Sequence, residues 1–141
     1  MGITERPIYH TPYGDVMTWV TGEDATSGAY SLHERTAPPG ARSTPHVHHH
    51  LSESFYVLSG SFEFSVGEAT THGGAGAFVL APSGTTHSWR VLSDEPARAL
   101  VIFAPSAKHA YFEEMDALVR TSAGAADPAK LLALAERFGW T

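Results

Sequence analysis

Up to about residue 105 the chain is a series of short runs in which apolar and polar positions alternate, punctuated by Gly and Pro; beyond that point the apolar positions fall at helical spacing. Asp15–Thr21 and Ala29–Thr36 are rich in β-branched and aromatic residues, with Gly or Pro near each. In Ser61–Val66 the alternation is strict: Phe62, Phe64 and Val66 are separated by Glu63 and Ser65, the pattern of a half-buried strand. Ser54–Leu58, Ala77–Leu80 and Thr86–Val91 read as further strands. Ser59-Gly60 is the hairpin before Ser61, Gly73-Gly74 opens the next turn, and Pro82-Ser83-Gly84 separates the last two of these strands. Ala97–Ala104 is almost continuously apolar, which predicts a strand buried on both faces.

After Pro105 the period changes. Phe112, Met115 and Val119 are spaced i, i+3, i+7 and predict an amphipathic helix over 107–120, with Ser106 as its cap. Asp127-Pro128 starts a second helix that carries Leu131, Leu134 and Phe138 on one face and stops at Gly139. Both are expected on the exterior of the strand assembly. The simpler account lays the first over an outer sheet face; the alternative places Tyr111, Phe112 and Met115 over a barrel mouth. Many short strands followed by helices predict an all-β sandwich or barrel with a helical appendage. A length of 141 residues suits a single domain, 1–141, with strands over roughly 10–105 and the appendage over roughly 106–140.

Composition narrows the chemistry. The chain has no cysteine, which removes thiolate metal sites, thiol nucleophiles and disulfides, and is compatible with a reducing compartment. Fifteen acidic against nine basic residues give a net charge of −6, and the basic residues form no stripe, so nucleic acid is not an expected partner. No apolar run has the length of a signal peptide or a bilayer span. These features predict a soluble, cytoplasmic protein that does not engage a membrane.

The chemistry concentrates in GARSTPHVHHHLSESFYVLSG and in GAFVLAPSGTTH, which ends at His87. His46 and His48 are two apart, so on an extended strand both point to one face and form a chelating pair. With Glu53 and His87 they supply three imidazoles and a carboxylate, the donor set of a mononuclear transition-metal site. Period two also puts Glu53, Phe55 and Val57 on one face, and His87, Trp89 and Val91 on another, so each donor is followed by apolar residues. His49 should point outward and His50 lie past a bend. His10, His33, His72 and His109 lack partner spacing and are expected as surface or hydrogen-bonded imidazoles.

Gly40, His46, His48, Glu53 and Gly60 stand in the frame G-x5-H-x-H-x4-E-x6-G, and Gly76, Pro82, Gly84 and His87 in G-x5-P-x-G-x2-H. In these two motifs the chain resembles the cupins, over roughly 10–105, and among them the small quercetin dioxygenase-like group. The Asn that often closes the second motif is Val91 here. The resemblance implies a cupin jelly-roll barrel, the double-stranded β-helix, with the two C-terminal α-helices appended. It implies one divalent transition-metal ion (Fe, Mn, Ni, Cu, Co or Zn) on His46, His48, Glu53 and His87. The implied activity is dioxygenase-like, on a small aromatic or enolic substrate, with Glu53 also the general base. Metal-dependent isomerisation or cyclisation without redox chemistry, and small-molecule binding without catalysis, are the alternatives. Family habit and the apolar strands imply a homodimer formed partly by the N-terminal segment. Phe55, Phe64, Trp89 and Phe103 are candidates for a substrate pocket, although core packing is the commoner role for any one of them. Tyr30, and after it Arg35 and Arg42, are candidates to anchor a substrate anion or assist oxygen chemistry.

Overall fold

The computed structural model describes residues 6–141. Its strands form two antiparallel sheets. The larger runs in the order β1 (Ile8–His10), β2 (Val16–Thr21), β3 (Ser31–Ala37), β9 (Ala97–Ala104), β4 (Ser52–Ser59) and β7 (Phe78–Ala81). The smaller is β6 (Ala69–Gly73), β5 (Phe62–Val66) and β8 (His87–Val91). Among the described residues there are also three helices: α1 (Glu23–Thr26), α2 (His109–Arg120) and α3 (Pro128–Arg137). This is the expected all-β jelly roll with two C-terminal helices, but its ladder is open and the sheets face each other without closing a cylinder.

The core lies between the sheets because each strand buries alternate residues. Phe62 and Phe64 on β5, Trp89 and Val91 on β8, Phe55 and Val57 on β4, and Val101 and Phe103 on β9 are all buried. The strand Ala97–Ala104 departs from the expectation of burial on both faces. Only Ala97, Ala99, Val101 and Phe103 are buried, while Arg98 and Ala104 are exposed and Leu100 and Ile102 half-buried. Its second face is the outer side of the sheet, and no further layer covers it among the described residues.

The local pattern did not announce three elements. β6 is polar and exposed along most of its length, so it shows no alternation; only its pairing with β5 makes it a strand. β1 and α1 are too short to show a period. β1 pairs within the chain, Tyr9 opposite Met17; residues 1–5 of the N-terminal segment invoked for a dimer lie outside the described residues. The turn glycine at 60 is required by space as well as by φ. It sits at +69°, and a Cβ there would stand 2.7 Å from the Ala97 Cα.

The helices depart most from expectation. Ser106 does not cap α2: its hydroxyl donates to the Ala107 carbonyl, and the Glu23 carboxylate accepts from the His109 amide at 2.8 Å. A carboxylate from α1 thus satisfies the N-terminus of α2. Asp127 caps α3 as predicted, accepting from the Ala129 amide at 2.9 Å. Neither helix covers an outer sheet face. Phe112 and Met115 of α2 and Leu131 and Ala135 of α3 line the opening of the cavity between the sheets. The cause is visible at both ends of the pair. Asp116 on α2 accepts from the His10 amide at 2.7 Å, and the chain end returns to the histidine-bearing segment through Thr141 N–H to the Val47 carbonyl at 2.9 Å.

Candidate metal centre

Pro45 has no amide hydrogen to give to a ladder, and the segment 42–48 is extended but not a regular strand. His46 pairs with His87 through two backbone hydrogen bonds of 3.0 Å each, and His48 bridges to Trp140 instead. The two histidines share a face, as their spacing requires, but different neighbours hold them. Glu53 comes from β4 and His87 from the start of β8, and both are buried. His49 and His50 point outward and are exposed; His49 Nε2 reaches the Thr141 hydroxyl at 2.8 Å.

His46, His48, Glu53 and His87 each offer one donor atom, and all four atoms lie within 4.8 Å of one another. Glu53 Oε1 is the focus, 3.0 Å from His48 Nε2, 2.9 Å from His87 Nε2 and 3.9 Å from His46 Nε2. The outer ring nitrogens set the protonation. His46 Nδ1 donates to the Thr44 carbonyl at 2.8 Å and His87 Nδ1 to the Thr85 carbonyl at 3.0 Å. A neutral imidazole whose Nδ1 carries the hydrogen presents a lone pair at Nε2. Lone pairs converging on a carboxylate oxygen repel unless a proton or a cation stands among them, so the donor set fits a metal ion. No backbone oxygen orients His48; among the described residues its buried Nδ1 has no hydrogen-bond partner. The Trp140 indole packs against this ring instead, perpendicular at 4.3 Å between centroids.

Burial alone pushes the Glu53 carboxyl up, but its contacts with the histidines, close with His48 and His87 and longer with His46, outweigh it and hold the group well below the usual carboxylate range. Burial pulls His48 down. For His87 burial also acts downward, yet its contact with Glu53 lifts it above the ordinary imidazole value. A carboxylate ionised at neutral pH, with imidazole nitrogens facing it, suits cation binding.

His46, His48 and Glu53 stand at the wall of a cavity of about 440 Å3, and His87 contacts Glu53 without lining it; Trp89, Phe103, Tyr111, Met17 and Trp140 line the apolar side and Arg35 the polar side. Of the predicted pocket residues, Trp89 and Phe103 are on this wall. Phe55 and Phe64 are not: their rings pack tilted against each other, 4.9 Å between centroids, and fill the core between the sheets. Tyr30 is also displaced from expectation, since it precedes β3 and is 43% exposed outside the cavity. Arg42 is exposed and pairs with Arg90 on the small sheet. The sequence reading missed Tyr13 and Trp140. Trp140 follows the helix-stopping Gly139, where no periodicity remains to assign it a face.

The remaining histidines have partners. His10 meets Asp116 at 2.9 Å, His72 meets Glu63 at 2.9 Å, and His109 stacks on Trp19 at 4.2 Å and hydrogen-bonds the Tyr9 hydroxyl. His33 is wholly buried. Among the described residues no helix is long and apolar enough to cross a membrane.

Comparisons with known proteins agree with this fold. The family model of the cupin domain matches residues 33–103, half of the chain. No curated protein sequence matches. Among solved structures, the cupin domain of Schizosaccharomyces pombe Cnp3 is 20% identical, with a TM-score of 0.60 over 64% of this chain and 61% of that one. KdgF from Halomonas sp. is 22% identical, TM-score 0.64, over 72% of this chain and 87% of that one. A protein from Thermotoga maritima described as a predicted oxalate decarboxylase is 18% identical, TM-score 0.67, over 74% and 99%. At these identities the likeness shows the fold. Both motifs lie on one scaffold, their donors meet at one point, and the chain belongs to the cupin family.

Proposed function

We propose that the protein is a metal-dependent oxygenase of dioxygenase type, acting on a small aromatic or enolic metabolite bound beside His46, His48, Glu53 and His87. One observation carries the reading: of four donor atoms within 4.8 Å of one another, those of His46, His48 and Glu53 belong to residues on the wall of an apolar, aromatic-rich cavity of about 440 Å3. That volume falls in the range of small-molecule sites. A bound divalent transition-metal ion supplies Lewis acidity there and, for a redox-active ion, one-electron chemistry.

The chain's own groups divide the remaining work. Glu53 Oε1 takes the histidine contacts, which leaves Oε2 to accept a substrate hydroxyl proton as general base. Burial pushes the Tyr111 phenol up, so it stays protonated and is a donor at the cavity wall. Trp89, Phe103 and Trp140 keep water from the reacting face.

The test is anaerobic incubation of protein loaded in turn with Fe, Mn, Co, Ni and Cu with candidate enols and flavonols, followed by re-aeration. Oxygen uptake matched by substrate loss is expected; none with any ion or substrate sinks the reading. Turnover by zinc-loaded protein without oxygen would replace it with isomerase or cyclase chemistry, and a ligand-induced thermal shift without turnover with a binding protein. The homodimer belongs to the same proposal. Tyr56, Phe78 and Leu80 are exposed on the outer face of β4 and β7, a surface that a second copy would cover, and light scattering that gives a monomer mass removes it.

A further inference from the structure

Among the described residues Arg35 is the only Arg or Lys on the cavity wall, and its surroundings fix it without using it up. Its side chain is 9% exposed. Nε donates to Asp15 Oδ2 at 2.9 Å, and Asp15 is itself buried and accepts from the Thr11 hydroxyl. The guanidinium carbon lies 4.6 Å from the centre of the Trp89 ring and 5.9 Å from that of Phe55. Asp15 and the two rings therefore hold the group in one orientation. Its Nη1 nevertheless has no hydrogen-bond partner among the described residues, and Glu53 Oε2 is 3.9 Å away. A buried donor left without an acceptor is costly. A rigid, buried guanidinium with a spare donor beside a candidate metal centre is what carboxylate recognition needs.

We propose that the natural ligand of this cavity is a small organic carboxylate whose carboxylate the Arg35 guanidinium takes beside the metal ligands. The inference rests on reading the four-donor cluster as a metal centre, and it makes the aromatic or enolic substrate an acid. Charge balance supports it. With a divalent ion, three neutral imidazoles, Glu53, Arg35 and Asp15, the formal charges leave one positive charge over, which one carboxylate neutralises. The apolar remainder of the cavity, with Met17, Phe103 and Trp140, receives the body of the ligand. Asp15 is a positioning residue in this scheme: it touches the guanidinium and not the ligand.

The experiment measures binding by zinc-loaded protein of benzoate and of benzamide, which match in shape and differ in charge, by calorimetry. Zinc content is checked first, and protein that holds no zinc defeats the metal reading itself, separately from this inference. With zinc held, benzoate is expected to bind at least about tenfold more tightly than benzamide. Equal affinities, or no benzoate binding at millimolar concentration, overturn the proposal. Arg35→Lys keeps the ion pair with Asp15 but loses the planar fork, and the double variant Asp15→Asn, Arg35→Gln removes both buried charges together. Loss of the benzoate preference in folded, zinc-loaded Arg35→Lys supports Arg35 as the anchor. A preference retained in both variants assigns it to the metal and refutes the role of Arg35.

Discussion

The Trp140 indole stands perpendicular to the His48 imidazole with 4.3 Å between ring centroids, and the same indole lies 4.0 Å from the Tyr111 ring and stacks on Phe103 at 5.8 Å. It thus joins the chain end to a metal-site histidine that no backbone oxygen orients. Removing it takes away core contacts and the packing that holds His48. Full burial of a Trp makes truncation to Ala cost about 3–5 kcal/mol, and because Trp140 is half-buried we expect Trp140→Ala to cost about 2 kcal/mol in urea unfolding. Metal affinity should fall as well, since His48 loses its orienting wall. Unchanged affinity would show that His48 is oriented without Trp140.

Glu53 Oε1 is the point on which all three histidine Nε2 atoms converge. Glu53→Gln keeps the side-chain volume and removes the charge, so circular dichroism should show the fold intact. Loss of an anionic donor should weaken binding of Zn2+ or Mn2+ by at least about tenfold, measured by competition with a chromophoric chelator. A variant with wild-type affinity would take Glu53 out of the ligand set.

His87 links metal binding to pH. Burial acts to lower it, but Glu53 raises it above the ordinary imidazole value of about 6.5. In the metal-free protein its contact with Glu53 therefore stabilises the fold fully below about pH 6.5, and the contribution is lost as pH rises through the raised value. Metal binding runs the other way, because the ion displaces that proton. Affinity should climb from pH 6 to pH 8, and calorimetry in buffers of different ionisation enthalpy should register proton release at the lower pH. Equal affinity at both would contradict His87 as a ligand.

The donor set was legible because its information is local. The spacing of His46 and His48, the carboxylate at Glu53 and the Pro82–Gly84 bend before His87 each act within a few residues. The period-two rule likewise placed Phe55, Val57, Trp89 and Val91 inside. Long-range packing decided what the sequence left open. Phe55 and Trp89 have the same pattern on their strands, yet Phe55 packs against Phe64 in the core and Trp89 reaches the cavity, a difference that period two does not encode. Helical periodicity identified the faces of α2 and α3 but carried no information on which surface receives them. The bonds that decided it, His10 to Asp116 and Val47 to Thr141, join residues far apart in the chain.

His33 gives the sharpest prediction for stability away from the metal. Its ring is wholly buried, packed at 4.7 Å from Trp19, 5.0 Å from Phe112 and 5.3 Å from Phe103. Nε2 meets the Ser31 hydroxyl at 3.0 Å, and among the described residues Nδ1 has no partner. Burial lowers its pKa to about 3, with the Arg35 charge adding to the effect and Glu53 opposing it. The unfolded chain takes up a proton at this residue below about pH 6.5, whereas the folded chain resists until about pH 3. Acidification within that window therefore favours unfolding, and His33 alone removes about 1.4 kcal/mol of stability per pH unit well inside it. Carboxylates titrating in the same range also weaken the fold, so the difference between two proteins isolates the residue. His33→Phe places a ring of similar size in an aromatic site and cannot be protonated. Between about pH 5.5 and 4.5, urea unfolding of the metal-free variant should lose roughly 1 kcal/mol less than that of the metal-free wild type. Parallel slopes would mean that His33 is protonated in the folded protein and that its surroundings do not exclude charge.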